Sequence, residues 1–231
     1  QHYTNNRVLF ELMEPLSLVR LFPTHGPYYG GTRVTIVVAP VFRMLTALYA
    51  YPAKCIFSGV EVAARFVDTD RDTDTRGDGA VGNSTVECFS PPFVSLAGGR
   101  TNVYLTMNDQ QITSTSLVFS YEAAVGQFSV HPTFGSLGGN TVVNITGDAI
   151  KTSTDAYCLF DDQVMVADRC VDGQITCRTP SVDSPRTVTL SYTLNGQDYM
   201  NDTQLEFSFQ ERPLVTRIDP VRGPVTGDTR V

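Results

Sequence analysis

Apolar and polar residues alternate along this chain in short bursts, and the bursts recur in the same order. A short apolar segment comes first (residues 18–22, again at 128–130 and at 214–218). A turn rich in proline and glycine follows, and then a Val-x-Ile alternation, Val34-Thr35-Ile36 in one place and Val143-Asn144-Ile145 in another. Alternation with period two places one set of side chains on a buried face and predicts strands rather than helices. The last two strands of each series predict a hairpin, residues 102–107 with 112–121 and residues 187–194 with 204–209. Asn195-Gly196 is a strong hairpin-turn signal, with Asn108-Asp109 at the equivalent place. Both hairpins end in an aromatic-Ser-aromatic run, Phe119-Ser120-Tyr121 and Phe207-Ser208-Phe209. About seven short strands in roughly 90 residues, each followed by turn residues, predict an antiparallel two-sheet sandwich of Ig-like class.

The turn itself repeats without a gap. Pro-x-x-Gly-x-x-x-Gly-x-Thr begins at Pro23, Pro132 and Pro220, so the copies start 109 and 88 residues apart. That spacing exceeds any solenoid repeat and matches a small independent domain. The expected organisation is a terminal strand of a preceding repeat at 1–14, with Val8 and Phe10 facing inward, then a first sandwich with long insertions at 15–123. A second sandwich follows at 124–211 and the start of a further repeat at 212–231. With eleven residues after Pro220, the chain reads as a piece of a larger protein. Its first residues have neither the basic nor the apolar region of a signal peptide.

Composition narrows the class. Eighteen glycines, thirteen prolines and no tryptophan fit an all-β, turn-rich chain. A net charge of -7 disfavours a phosphate-binding surface, so no nucleic-acid partner is expected. The longest apolar stretches, residues 34–42 and 44–50, are interrupted by Thr35, Pro40 and Arg43 and are too short to cross a bilayer. Direct membrane contact is therefore not expected in this segment.

Five cysteines gain meaning from the repeat. Cys55 in Lys54-Cys55-Ile56-Phe57 corresponds to Cys158 in Tyr157-Cys158-Leu159-Phe160, and Cys88 before Phe89-Ser90-Pro91 corresponds to Cys177 before Arg178-Thr179-Pro180. One matched pair per copy predicts disulfides Cys55–Cys88 and Cys158–Cys177, formed in an oxidising compartment. Cys170, aligned with Phe66, has two readings: a buried thiol, or a partner for Cys177 that frees Cys158. Asn83, Asn144 and Asn201 each open an Asn-x-Ser/Thr sequon, so N-linked glycans are expected. Val143 and Ile145 flank Asn144 in an alternating strand, which points Asn144 and Thr146 outward. Cysteines and sequons together favour the secretory pathway and an extracellular or cell-surface location.

These residues resemble the IPT/TIG domain, the Ig-like fold shared by plexins, MET-type receptors and certain transcription factors. The resemblance rests on Ile218-Asp219-Pro220 ending a strand and on Gly26-Pro27 with Gly30-Gly31-Thr32 in the turn. It rests further on Ile175-Thr176-Cys177-Arg178-Thr179-Pro180 and on the closing strand through Phe119 and Tyr121. The first copy departs from it with Ser90-Pro91 in place of Thr-Pro, and the second has Ser136 where the others have Pro27 and Pro224. Membership would imply tandem Ig-like sandwiches with no catalytic residues and no cofactor. Acidity, paired cysteines and tandem copies select the extracellular branch of plexins, MET-type receptors and fibrocystin-like proteins. The implied function is a non-enzymatic structural and interaction segment, a rod of such domains in a large cell-surface or secreted protein, extending to a filament or surface appendage. The alternative is the stalk of a plexin-, MET- or fibrocystin-like receptor ectodomain that serves ligand binding or adhesion. Expected partners are other protein chains or further domains of the same chain.

Two segments depart from the repeat. Copy one has 21 residues between Phe66 and Cys88 where copy two has six between Cys170 and Cys177. That insertion carries Asp70, Asp72 and Asp74, which offer oxygen ligands for Ca²⁺, but an EF-hand pattern counted from Asp70 fails at Thr75 and Val81. A solvated acidic loop is the other reading. Arg76-Gly77-Asp78 within it spells an adhesion tripeptide. Residues 41–51 form an apolar connection with some helical character, in which Phe42, Met44, Leu45, Leu48 and Tyr49 either plug their own domain or meet a partner chain. His2, His25 and His131 lack zinc-ligand spacing and read as turn residues, and no Gly-x-Ser-x-Gly elbow is present.

Overall fold

A computed structural model describes residues 15–39, 53–67, 84–95, 98–123 and 126–230. The stub at 1–14, the apolar connection with Phe42, Met44, Leu45, Leu48 and Tyr49, and the acidic insertion with Asp70, Asp72, Asp74, Arg76-Gly77-Asp78 and Asn83 lie outside the described residues.

The described chain is all-β. Its first part holds β1 (Ser17–Phe22), β2 (His25–Pro27), β3 (Arg33–Ala39), β4 (Ala53–Phe57), β5 (Val60–Val67), β6 (Ser84–Phe89), β7 (Gly99–Thr106) and β8 (Leu117–Glu122). The second holds β9 (Phe128–His131), β10 (Phe134–Ser136), β11 (Val142–Gly147), β12 (Tyr157–Phe160), β13 (Gln163–Val166), β14 (Arg169–Val171), β15 (Gln174–Arg178), β16 (Arg186–Thr193) and β17 (Tyr199–Gln210). The second part is a two-sheet sandwich, β10-β17-β16-β12-β13 against β14-β15-β11-β9.

The first part differs from the expected pair of separate sheets. Its eight strands are hydrogen-bonded in one continuous order, β1-β3-β6-β5-β4-β7-β8-β2. The cause is β5, which pairs with β4 through Val60 to Ala64 and with β6 through Ala64 to Val67, turning the corner between layers within one strand. In the second copy Ala167 and Asp168 interrupt that strand, leaving β13 in one sheet and β14 in the other.

Alternation decides which side chains meet inside. In the first sandwich Val34, Ile36, Val38, Cys55, Phe57, Val86, Val103, Leu105 and Phe119 form one buried cluster. In the second, Val143, Ile145, Cys158, Phe160, Ile175, Leu190, Phe207 and Phe209 do so. Corresponding rings pack edge to face, Phe57 on Phe119 with centroids 5.6 Å apart and Phe160 on Phe207 at 5.9 Å, a favoured aromatic geometry. Through each core runs a disulfide between the layers, Cys55–Cys88 and Cys158–Cys177. Cys170 is a buried thiol whose Sγ–H donates to the Lys151 carbonyl at 3.3 Å, so the alternative bond to Cys177 is not formed. Burial pushes that thiol above its ordinary range.

The repeated turn has the same geometry in all three copies, each following a cis proline at Pro23, Pro132 and Pro220. A Cβ on the first motif glycine, Gly26, Gly135 or Gly223, would lie 2.1, 2.4 or 2.1 Å from the hydroxyl of the motif threonine, Thr32, Thr141 or Thr229. The second motif glycine has positive φ, +76° at Gly30 and +70° at Gly139, and a Cβ there would stand 2.6 Å from the backbone at Pro91 or Pro180. Ser90 and Thr179 clamp the turn identically. Their backbone N–H groups donate to the Thr32 and Thr141 carbonyls, and their hydroxyls accept from the Thr32 and Thr141 N–H groups, both at 3.1 Å. Serine thus replaces threonine at this point of copy one without loss of the clamp.

Two expectations about local structure are corrected. Residues 214–218 form no strand, and Leu214, Val215 and Ile218 are exposed. The matching strands β1 and β9 are held by ladders to β3 and β11, whereas no described strand pairs with 214–218. The hairpin of copy two also turns differently, since β17 begins at Tyr199, not near Gln204, and Asn195-Gly196 lies in a five-residue loop, 194–198. In copy one the connection is longer still, residues 107–116.

Candidate functional site at the joint between the sandwiches

The polar groups that the strands bring together most densely lie where the first sandwich meets the second. On one side stands the opening turn of copy one. β2 is held parallel to the end of β8, with His25 opposite Ser120 and Pro27 opposite Glu122. On the other side stands loop 194–198 of copy two.

That loop is shaped by Asn195. Its Oδ1 accepts from the backbone N–H of Gln197 and Asp198 at 3.0 and 2.9 Å and from the Thr193 hydroxyl at 3.1 Å, the local capping for which asparagine is suited. Its Nδ2 is then free to reach outward, donating to the His25 carbonyl at 3.0 Å and to Asp198 Oδ2 at 2.7 Å. His25 returns the contact through Nε2–H, which donates to the Leu194 carbonyl at 2.8 Å. The Thr32 hydroxyl donates to Asp198 Oδ2 at 2.7 Å, and Gln197 Nε2 donates to the Arg33 carbonyl at 3.2 Å. Thr32 is 0% and Asn195 3% exposed, and hydrogen bonds shielded from water in this way are costly to leave unmade.

Glu122 closes the joint from behind. It is 9% exposed, its Oε1 lies 3.6 Å from His25 Nε2, and that oxygen has no hydrogen-bond partner. Burial, with the Asp198 charge as a second cause, pushes its pKa up to about 7.

The same pole of the second sandwich carries different chemistry. β10 runs parallel to β17 in the matching register, placing Phe134 opposite Ser208 and Ser136 opposite Gln210. Phe134 and Gln210 therefore stand where copy one has His25 and Glu122, and they line an open groove with Val130, Thr133 and Leu205.

The structure treats the other sequence-based site residues unevenly. Asn144 lies half-buried on β11, its Oδ1 accepting from Gln174 Nε2 and the Thr176 hydroxyl, both at 2.8 Å, while Thr146 is exposed. Asn201 falls within β17. Among the described residues no group of three or more His, Cys, Asp or Glu could hold a metal ion, and no helix is long and apolar enough to cross a membrane. From the sequence alone, His25 reads as a turn residue and Asn195 as a turn former. One signal was available: the position two after the motif proline is His25, Phe134 and Arg222 in the three copies, three different side chains beside the fixed Pro, Gly, Gly and Thr.

With this geometry in view, comparison with known proteins places the fold. The family model of the IPT/TIG domain matches residues 129–209, which lie within the second sandwich. The first shares its opening turn, clamp, cysteine pair and closing hairpin, so both are Ig-like sandwiches of one pattern. Human (Homo sapiens) Plexin-A4 is 22% identical over 222 residues, covering 93% of this chain and 10% of that protein. Plexin-A4 of Danio rerio is 29% identical over 102 residues, covering 44% of this chain and 5% of that protein. The solved extracellular region of Plexin A4, domains 1 to 10, superposes with a TM-score of 0.58 at 18% identity, over 89% of this chain and 16% of that one. The chain thus spans a tenth or less of the curated relatives it matches.

Proposed function

We propose that this segment is a jointed, non-enzymatic spacer in the ectodomain of a plexin-like cell-surface receptor, its sandwiches setting the distance and angle between parts that bind other proteins. The observation that carries the reading is the joint, in which the opening turn of one copy grips the hairpin loop of the next through bonds from His25, Thr32, Asn195 and Gln197. A chain that needed only a flexible tether would not bury polar groups there. Likeness to the Plexin A4 extracellular region supports the receptor stalk over a filament or surface appendage. The two disulfides suit an extracellular, oxidising location. In this reading Asn83, Asn144 and Asn201 carry N-linked glycans, the partners are proteins or further domains of the same chain, and Phe42, Met44, Leu45, Leu48 and Tyr49 supply a lateral contact.

Electron microscopy of the parent protein tests the role. A row of beads of sandwich size is expected, and a compact globule would sink the spacer reading.

A further inference from the structure

Of the described residues, two have a buried side-chain oxygen or nitrogen without a hydrogen-bond partner, and one of these is a carboxylate, Glu122. It ends β8, the last strand before the chain crosses into the second sandwich. The donors around it are committed elsewhere. His25 Nε2–H goes to the Leu194 carbonyl, the Thr32 hydroxyl goes to Asp198, and Asn195 Nδ2 serves the His25 carbonyl and Asp198. The titratable groups facing Glu122 are His25 from β2, Asp198 from loop 194–198, Tyr192 from β16 and Cys170 from β14. Among them only His25 can carry positive charge, and Asp198 adds a negative one across the joint. An ionised Glu122 is therefore buried, with no hydrogen bond to Oε1 and His25 Nε2 no nearer than 3.6 Å, and it is opposed by a like charge, an arrangement that burial makes costly.

Resting on the jointed-spacer reading, we propose that Glu122 is a proton-operated catch: the two sandwiches lock together when its carboxyl is protonated and loosen when it is ionised. The sign follows from linkage. Docking raises the Glu122 pKa to about 7 from its ordinary value of 4.5, by burial first and by Asp198 second. Undocking returns the carboxyl to water and removes Asp198. The docked form therefore binds the proton more tightly. Its advantage is complete below the ordinary carboxylate range, shrinks as pH climbs through the interval and is lost above about 7. A shift of this size changes the docking equilibrium on the order of a hundredfold. The catch belongs to this joint alone among the two described copies, since Gln210 and Phe134 hold the equivalent places in copy two.

NMR relaxation of this chain, measured at about pH 5.5 and about pH 8.5, reads whether the sandwiches tumble as one body or two. The wild type is expected to tumble as one at the lower pH and as two at the higher. Glu122→Gln, a neutral side chain of the same shape, is expected to tumble as one at both. Wild type locked at both pH values, or Glu122→Gln loosening with pH as the wild type does, would overturn the catch while leaving the joint. Independent tumbling of both proteins at both pH values would remove the joint itself, and the spacer reading with it.

Discussion

Gly139 has φ of +70°, and a side chain there would stand 2.6 Å from the backbone of Pro180. Gly139→Ala should therefore destabilise the second sandwich by at least about 1 kcal/mol, read as a lower denaturant midpoint with an unchanged m-value. Asn195→Ala removes the cap of loop 194–198 and the bonds to the His25 carbonyl and Asp198 together. It should cost about 1–3 kcal/mol in unfolding and separate the motion of the two sandwiches. At this scale the sequence was legible where chemistry is local. Repetition of Pro, Gly, Gly and Thr marked the turn, though the reason that Gly26 and Thr32 recur together, a shared space, needed coordinates. His25 was misjudged because its partner, the Leu194 carbonyl, lies 169 residues away, beyond the reach of any spacing argument.

Strands and their crosslinks were the most readable level, because alternation has a period of two and a buried face enforces it. Phe207, 0% exposed and edge to face with Phe160, sits where the alternating pattern put it. Phe207→Ala should cost about 3–5 kcal/mol in a denaturant titration. Replacing Cys158 and Cys177 by alanine removes a crosslink across 19 residues. It should lower stability by about 3 kcal/mol in the chain-entropy model, measured under non-reducing conditions against the parent chain. The misreadings at this level have one source, since pairing is a property of two strands and the pattern describes one. β5 carries an unbroken alternation whether it stays in one sheet or turns into the next, and its two sets of partners decided the matter. Residues 214–218 have an apolar pattern like that of β9 but no described neighbour to bond.

For the molecule as a whole, each copy presents an opening turn and a hairpin loop, and the joint is made by one of each. The loop chemistry recurs. Asn108 Oδ1 accepts from the N–H groups of Gln110 and Gln111 as Asn195 Oδ1 does from Gln197 and Asp198. Asn108 Nδ2 donates to Gln111 as Asn195 Nδ2 does to Asp198. Copy one thus carries an exposed second version of the element that copy two uses in the joint, as a head-to-tail array requires. The repeat announced such an array, but the joint was invisible in it because its partners, such as His25 and Leu194 or Thr32 and Asp198, lie more than 160 residues apart. Small-angle X-ray scattering of this chain near pH 5.5 tests the jointed array most directly. A curve matching the two sandwiches fixed as the joint holds them, and changed by Asn195→Ala, is expected. A curve that only an ensemble of freely moving sandwiches reproduces, and that Asn195→Ala leaves unaltered, would contradict it.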